Sequence, residues 1–368
     1  MAKTGKAVLV REHGNVTVEE VAVDSPGPGE VMVKIEACGV CASDAAAVSG
    51  KMPLPPPLVL GHEGAGIVEE VGEGVRDLEV GDHVLMSFIP ECGTCRFCAS
   101  GQGQLCDDHA KVYFSLPDGT TRVKDASGNP LFIFSGCGCM AEYTTVVRNS
   151  VVKIDPDLPL DKVCLVACGV LTGVGAALNT AKVEAGSSCA VFGAGGIGLN
   201  VVQGCAIAGA EKIIAVDLED KKLEMAQAFG ATHTVNPNSD GEAPARILEI
   251  TGGGADYAFE CIGIGSVVLE AFAAIRKGGT AVVVGVAAPT DTAPISPVML
   301  TAQEKHLCGS WFGSGVPRRD YPRLLNLYRS NRLKLDELVT NTYPVADAQQ
   351  AFDDLKAGLN ARGVILFA

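Results

Sequence analysis

The rhythm of hydrophobic and polar positions changes once along this chain, near residue 165. Before that point, short β-like runs at 31–35, 66–71, 83–86 and 143–147 are punctuated by glycine, proline and aspartate. This texture predicts a β-rich, partly antiparallel domain with long loops. From about 170 to 312, apolar strands at 188–192, 213–216, 257–259 and 281–284 alternate with helical segments. Such alternation predicts a doubly wound α/β fold, a parallel sheet covered by helices on both faces. Residues 319–331 and 345–359 carry helical spacing, and an apolar strand at 364–367 ends the pattern, expected to return to the first domain.

At 368 residues the chain exceeds the usual size of one domain, and no period of 20 to 50 residues recurs. Two uncharged stretches, 163–181 and 187–210, are long enough to span a bilayer. Both are dense in glycine and small residues and the second is broken by a turn, so buried α/β core is the expectation. A formal net charge of −14 repels phosphate polymers and anionic lipid heads, which argues against nucleic-acid and membrane partners. The apolar run at 7–10 is far too short for a signal segment, so a cytoplasmic location is expected. In that compartment the 14 cysteines do not read as a disulfide framework, and metal ligation is the economical use for a cluster of them.

One turn carries cofactor chemistry. Gly193-Ala194-Gly195-Gly196-Ile197-Gly198 follows an apolar strand and opens a helix reaching about Gly209. Glycine is needed there because a side chain would block both the tight turn and the approach of a pyrophosphate. A second strand ends at Asp217, 19 positions past Gly198, where a carboxylate can accept hydrogen bonds from ribose hydroxyls and would repel a 2′-phosphate. The expected cofactor is NAD. Lys222 could steady the ribose or stand as a surface lysine.

Cys92, Cys95, Cys98 and Cys106 form C-x2-C-x2-C-x7-C, with Gly93 and Gly101 to fold the chain back. Four thiolates so close complete a tetrahedral zinc shell with no open position, the structural arrangement. An iron–sulfur cluster is the competing reading. His109 lies nearby as a substitute ligand that four cysteines make unnecessary.

Three contexts join these motifs: Gly39-Val40-Cys41-Ala42-Ser43-Asp44, Gly61-His62-Glu63-Gly64, and Ala167-Cys168-Gly169. With the cysteine lobe, the Gly193–Gly198 turn and the closing Arg362-Gly363-Val364-Ile365, the chain resembles, almost end to end, the zinc-containing medium-chain alcohol dehydrogenases. Residues 111–139 look like the long-form branch, class I/III-like and bacterial.

The resemblance implies a GroES-like catalytic domain over 1–169 with a structural-zinc lobe at about 90–110, a Rossmann NAD-binding domain over 170–312, and a return to the catalytic domain over 313–368. It implies two zinc ions per subunit, the catalytic one on Cys41, His62 and Cys168. Ser43 would accept the alcohol proton, Asp44 would hold the far ring nitrogen of His62, and Glu63 would be an alternative ligand or an electrostatic tuner. Thr172 and Val286 match nicotinamide-side positions, Arg362 a pyrophosphate contact, and Met52 and Phe88 the substrate pocket. Two departures stand out. Ala42 replaces a frequent basic partner of the pyrophosphate, and Ala46 replaces the histidine that relays the proton to solvent.

The expected activity is reversible oxidation of an alcohol, primary and either aryl or medium-chain aliphatic, to an aldehyde or ketone. The rival activities are a glutathione- or mycothiol-dependent formaldehyde dehydrogenase and a nicotinoprotein with permanently bound NAD. A non-catalytic, crystallin-like role is disfavoured by the complete ligand set. A homodimer or homotetramer is expected, through an edge strand near 293–300.

Overall fold

The computed structural model describes residues 2–52 and 54–367. They divide into two compact units, one holding the chain up to Cys168 with Val316–Asn326 and everything from Leu335, the other Gly169–Gly315 with Leu327–Lys334. The stretch after 312 therefore does not return whole. Leu327–Lys334 belongs with the second unit, where the Lys334 N–H donates to Gln203 Oε1 (2.7 Å) and Gln203 Nε2 donates back to the Lys334 carbonyl (3.3 Å).

The first unit is built from two sheets. In one, Lys3–Val10 runs antiparallel to Thr17–Val23 and to Leu58–Val59. In the other, Glu30–Gly39 pairs antiparallel with Gly64–Val71, with Tyr143–Val147 and with Arg362–Leu366. Leu9, Met32, Val59, Leu131 and Ile133 share one buried cluster, the inward-facing positions of alternating strands. The register matters for function. Cys38 opposes Gly64, and Gly39 opposes Val364. The chain leaving Gly39, the chain entering Gly64 and the start of the last strand thus meet at one sheet end, which brings Cys41, His62, Glu63 and Arg362 together.

The second unit is the doubly wound parallel sheet the alternation predicts. Its order is His233–Val235, Lys212–Val216, Ser188–Phe192, Ala255–Glu260, Ile275–Val283, His306–Gly309, with every pairing parallel. The order reverses between Ser188–Phe192 and Ala255–Glu260, the crevice where such sheets bind ligands. The edge strand expected near 293–300 is not there. Residues 285–296 are irregular and Pro297–Gln303 is a helix, with Pro297 in its first turn where a missing N–H costs nothing. The strand at that edge is His306–Gly309. Among the described residues no single helix is long and apolar enough to cross a membrane.

Candidate functional site

In the first unit, ligand atoms of Cys41, His62, Glu63 and Cys168 lie within 4.8 Å of one another. That is the scale of a tetrahedral metal shell with bonds of about 2.0–2.3 Å. His62 is 3% exposed, Glu63 0% and Cys168 9%.

Cys41 is the N-cap of the short helix Ala42–Val48, and Asp44 in its first turn accepts the Cys41 N–H on Oδ2 (3.3 Å), a capping-box arrangement. Asp44 Oδ1 accepts the Gly61 N–H (3.0 Å). His62 Nδ1 lies 3.3 Å from Asp44 Oδ2, an ion-pair distance without hydrogen-bond alignment. One buried carboxylate therefore reaches both ends of the Cys41–His62 pair. Gly61 permits this because its φ is +96° and a Cβ there would lie 2.3 Å from the Met140 nitrogen. Ser43 Oγ donates to Cys41 Sγ (3.2 Å) and lies 3.2 Å from His62 Nε2. The Tyr321 hydroxyl, fully buried, bonds the carbonyls of Met86 (3.0 Å) and Ala167 (2.9 Å), and so fixes the residue before Cys168.

Charges in this cluster are strongly coupled. Hydrogen bonding with Cys168, then with His62, holds the Cys41 thiol well below its ordinary value against the opposing effect of burial. Burial works against a charged His62, but Asp44 and Cys41 outweigh it and raise the imidazole well above its usual range. Cys168 is pushed up by Cys41 and by burial. Only the Cys41 shift favours the deprotonated form that a bound cation requires; the raised His62 and Cys168 would have to give up their protons to a cation held between them.

Behind the ligands, the Arg362 guanidinium bonds the Glu63 carboxylate and the Val40 carbonyl, the latter at 3.3 Å. Burial disfavours its charge, yet Glu63, Cys41 and Cys168 hold it above its ordinary value. The structure thus places Arg362, expected at a pyrophosphate, 4% exposed against Glu63.

Aromatic edges wall the cluster. Phe88 and Phe134 meet the His62 ring edge-on at 5.6 and 5.3 Å between centroids. His109 packs on Phe88 (6.1 Å) and on Tyr113 (6.2 Å), and the Tyr113 hydroxyl donates to Met52 Sδ (3.3 Å). Phe134, His109 and Tyr113 were not anticipated. His109 and Phe134 open the short 3-10 helices His109–Val112 and Phe134–Gly136, and Tyr113 follows the first of them, segments too short to show a period in the sequence. His109 stands in this wall and not among the cysteines.

In the lobe, ligand atoms of Cys92, Cys95, Cys98 and Cys106 also lie within 4.8 Å of one another. Peptide N–H groups point at their sulfurs: Cys95 N–H to Cys92 (3.3 Å), Cys98 N–H to Cys95 (3.4 Å) and Cys92 N–H to Cys106 (3.4 Å). The Thr94 hydroxyl, with the N–H groups of Cys95 and Thr94, brings Cys92 down to about 6. Cys95 is likewise lowered, chiefly by the Cys98 N–H, whereas burial raises Cys98 and Cys106, so the surroundings favour the thiolate at two of the four sulfurs.

In the second unit, the Gly193–Gly198 turn links the strand Ser188–Phe192 to the helix Gly196–Ala208. A Cβ on Gly198 would lie 1.7 Å from the Gly193 carbonyl oxygen, so helix and turn approach as only glycine allows. A Cβ on Gly195 would meet nothing within 4 Å, so the turn faces open space at a helix N-terminus, a setting for anionic groups. Ile197 is partly buried behind it. Asp217 Oδ2 accepts the Ala194 N–H (2.8 Å) and Oδ1 the Glu219 N–H (3.1 Å), tying the turn to the neighbouring strand end. Lys222 Nζ donates to Glu219 Oε1 at 2.7 Å, a surface pair. Thr172 is partly buried in the helix Gly169–Gly175, and Val286, beyond the end of Ile275–Val283, is 75% exposed.

Comparison with known proteins adds to this geometry. Residues 27–156 match the model for an alcohol dehydrogenase GroES-like domain, and residues 196–330 that for a zinc-binding dehydrogenase. The Mycobacterium tuberculosis protein named "Putative alcohol dehydrogenase D" is 44% identical over 369 residues, covering 99% of this chain and 100% of its own. An alcohol dehydrogenase zinc-binding domain protein from Burkholderia ambifaria is 34% identical with a TM-score of 0.96 over 100% of both chains. Benzyl alcohol dehydrogenase from Acinetobacter calcoaceticus is 33% identical with a TM-score of 0.92, again over 100% of both.

Proposed function

Because the chain belongs to the zinc-dependent medium-chain alcohol dehydrogenase family, we propose that it oxidises primary alcohols, aryl or medium-chain aliphatic, reversibly to aldehydes with NAD as acceptor. The observation that carries this is the buried convergence of Cys41, His62 and Cys168. Two sulfurs and one nitrogen, with a position left for solvent or substrate, is the ligand set for which zinc alcohol dehydrogenases are known. Zinc held there supplies Lewis acidity, easing loss of the proton from an alcohol oxygen. NAD supplies the hydride acceptor, with Gly193, Gly195, Gly196, Ile197, Gly198 and Asp217 as its holders and Thr172 and Val286 toward the nicotinamide. Cys92, Cys95, Cys98 and Cys106 would hold a second, structural zinc.

The chain's own residues do the rest. Ser43 Oγ, 3.2 Å from both Cys41 Sγ and His62 Nε2, is the acceptor for the substrate proton. Asp44 fixes His62 and the Cys41 N–H, and so the directions of two donor atoms. Arg362 keeps the Glu63 carboxylate occupied. Phe88, Phe134, Tyr113 and Met52 form an apolar wall that excludes water and suits a flat ring, consistent with the substrate class of the Acinetobacter relative. A homodimer or homotetramer through the His306–Gly309 edge completes the proposal.

The test is zinc counting on purified protein, followed by a panel of alcohols read by NADH absorbance. Two zincs per chain and a larger kcat/KM for benzyl alcohol than for ethanol are expected. No zinc, no NADH, or formaldehyde turnover only with added glutathione or mycothiol would overturn it.

A further inference from the structure

At the point where the second unit's strand order reverses, the strand Ala255–Glu260 ends in a carboxylate that is 0% exposed. Glu260 Oε1 accepts three successive backbone N–H groups, from Ile262 (2.8 Å), Gly263 (2.6 Å) and Ile264 (3.4 Å). Its other oxygen, Oε2, is buried with no hydrogen-bond partner among the described residues. A buried carboxylate left half satisfied is a poor choice for stability alone, because its desolvation is only partly offset.

The three N–H groups belong to a loop wedged between two others. A Cβ on Gly193 would lie 2.6 Å from Ile262 Cγ1, so the Ile262 side chain closes over the first glycine of the phosphate turn. On the far side, a Cβ on Gly263 would lie 2.6 Å from the Val286 carbonyl oxygen. Backbone bonds fasten both flanks of the glutamate: the Cys261 N–H donates to the Phe192 carbonyl (2.9 Å), and the N–H groups of Val284 and Gly285 donate to the Glu260 carbonyl (2.8 and 3.0 Å). Ile262, Ile264 and Val286 are 49%, 43% and 75% exposed. Apolar side chains left in the open around a ligand turn mark a surface meant to be covered.

We propose that Glu260 is a positioning residue of the cofactor site. Its carboxylate sets the loop 261–264 against the Gly193 turn and so presents Ile262 and Ile264 to the dinucleotide. The proposal rests on the reading of this unit as an NAD site. Without the anchor the loop samples other positions, and apparent affinity falls by the fraction of time it is misplaced.

The test is calorimetric titration of NAD into the zinc-loaded enzyme without alcohol. Glu260→Ala should bind NAD about tenfold more weakly, its loop being competent roughly a tenth of the time. Its kcat at saturating NAD should stay within about twofold of wild type, and amide exchange at 262–264 should speed up. Glu260→Gln, whose side-chain carbonyl still accepts, should stay within about twofold of wild-type affinity. A folded Glu260→Ala that binds NAD as tightly as wild type overturns the proposal, as does a Glu260→Gln as weak as the alanine variant. Should the alanine variant not fold, Glu260→Asp draws the oxygens back by about 1.5 Å and should show the same tenfold loss; wild-type affinity there overturns it. A wild-type chain that binds no NAD overturns the functional reading itself, and this proposal with it.

Discussion

Asp44 offers the sharpest test of how the buried ligand set is built. It is 0% exposed, and its two oxygens serve the N–H groups of Gly61 and Cys41 while facing His62 Nδ1. Asp44→Ala would leave two donors unsatisfied at about 1–3 kcal/mol each, so the expected loss of stability is about 2–6 kcal/mol. Asp44→Asn keeps the shape and one accepting oxygen, but turns an NH2 toward the other donor and removes the charge opposite His62. It should fold, melt lower by the cost of about one orphaned donor, roughly 1–3 kcal/mol, and hold its buried-site metal roughly 10–100-fold less tightly. The assay is release of metal to a chromogenic chelator, resolved into two phases, with thermal melting alongside. The four-cysteine lobe serves as an internal control, since the partners of Asp44 are Cys41, Gly61 and His62 and none of the lobe cysteines, so its phase should not move. An Asp44→Asn protein whose buried-site metal, at Cys41, His62 and Cys168, leaves at the wild-type rate would refute the argument that this carboxylate orients His62.

Two further outcomes are expected. Asp217→Ala removes an acceptor of the Ala194 N–H and the negative charge that would oppose a 2′-phosphate; the kcat/KM preference for NAD over NADP should fall by about 10–100-fold, from the value of a charged hydrogen bond, and an unchanged ratio would sink the assignment of Asp217. Ala46 lies three positions after Ser43 on the helix Ala42–Val48, so Ala46→His would set a group with a pKa of about 6.5 on the same face. The variant should reshape the pH–rate profile of alcohol oxidation below neutrality, and a superimposable profile would refute the idea of a shortened proton path.

The parts of the site that were legible in the sequence are the local ones. The cysteine lobe and the glycine turn each draw their atoms from one loop, so spacing alone states which side chains can meet. The strand alternation from 170 to 312 was likewise readable, because each strand and helix is a short window with its own period. Cys41, His62 and Cys168 come from three distant places, and only resemblance joined them; the opposition of Cys38 to Gly64 supplies the physical reason Cys41 and His62 converge, and the Tyr321 hydroxyl on the Ala167 carbonyl fixes the residue before Cys168. The protein partner of Arg362 is likewise not legible in the sequence. A cation near the chain end gives no hint of its partner, and the pairing of Val364 with Gly39 decides that it lies against Glu63. The apolar residues of 293–300 suggested a strand, but Pro294 and Pro297 lack the N–H groups a ladder needs, and the segment forms a loop and a helix instead.

The place of Arg362–Leu366 between Glu30–Gly39 and Val339–Pro344 has a consequence for the making of the protein. Every proposed metal ligand has been synthesised once Cys168 emerges, and Tyr143–Val147 can already pair with Glu30–Lys34, yet Ala37–Gly39 lacks its partner on that flank and Glu63 its guanidinium until Arg362–Leu366 is added. At about 5–20 residues per second that interval lasts roughly 10–40 s. Throughout it, the nascent first unit carries an uncovered strand edge and a set of reduced thiols, while the second unit is completed behind it. Adding Arg362–Leu366 is therefore also the step that completes the pairing of Glu30–Gly39.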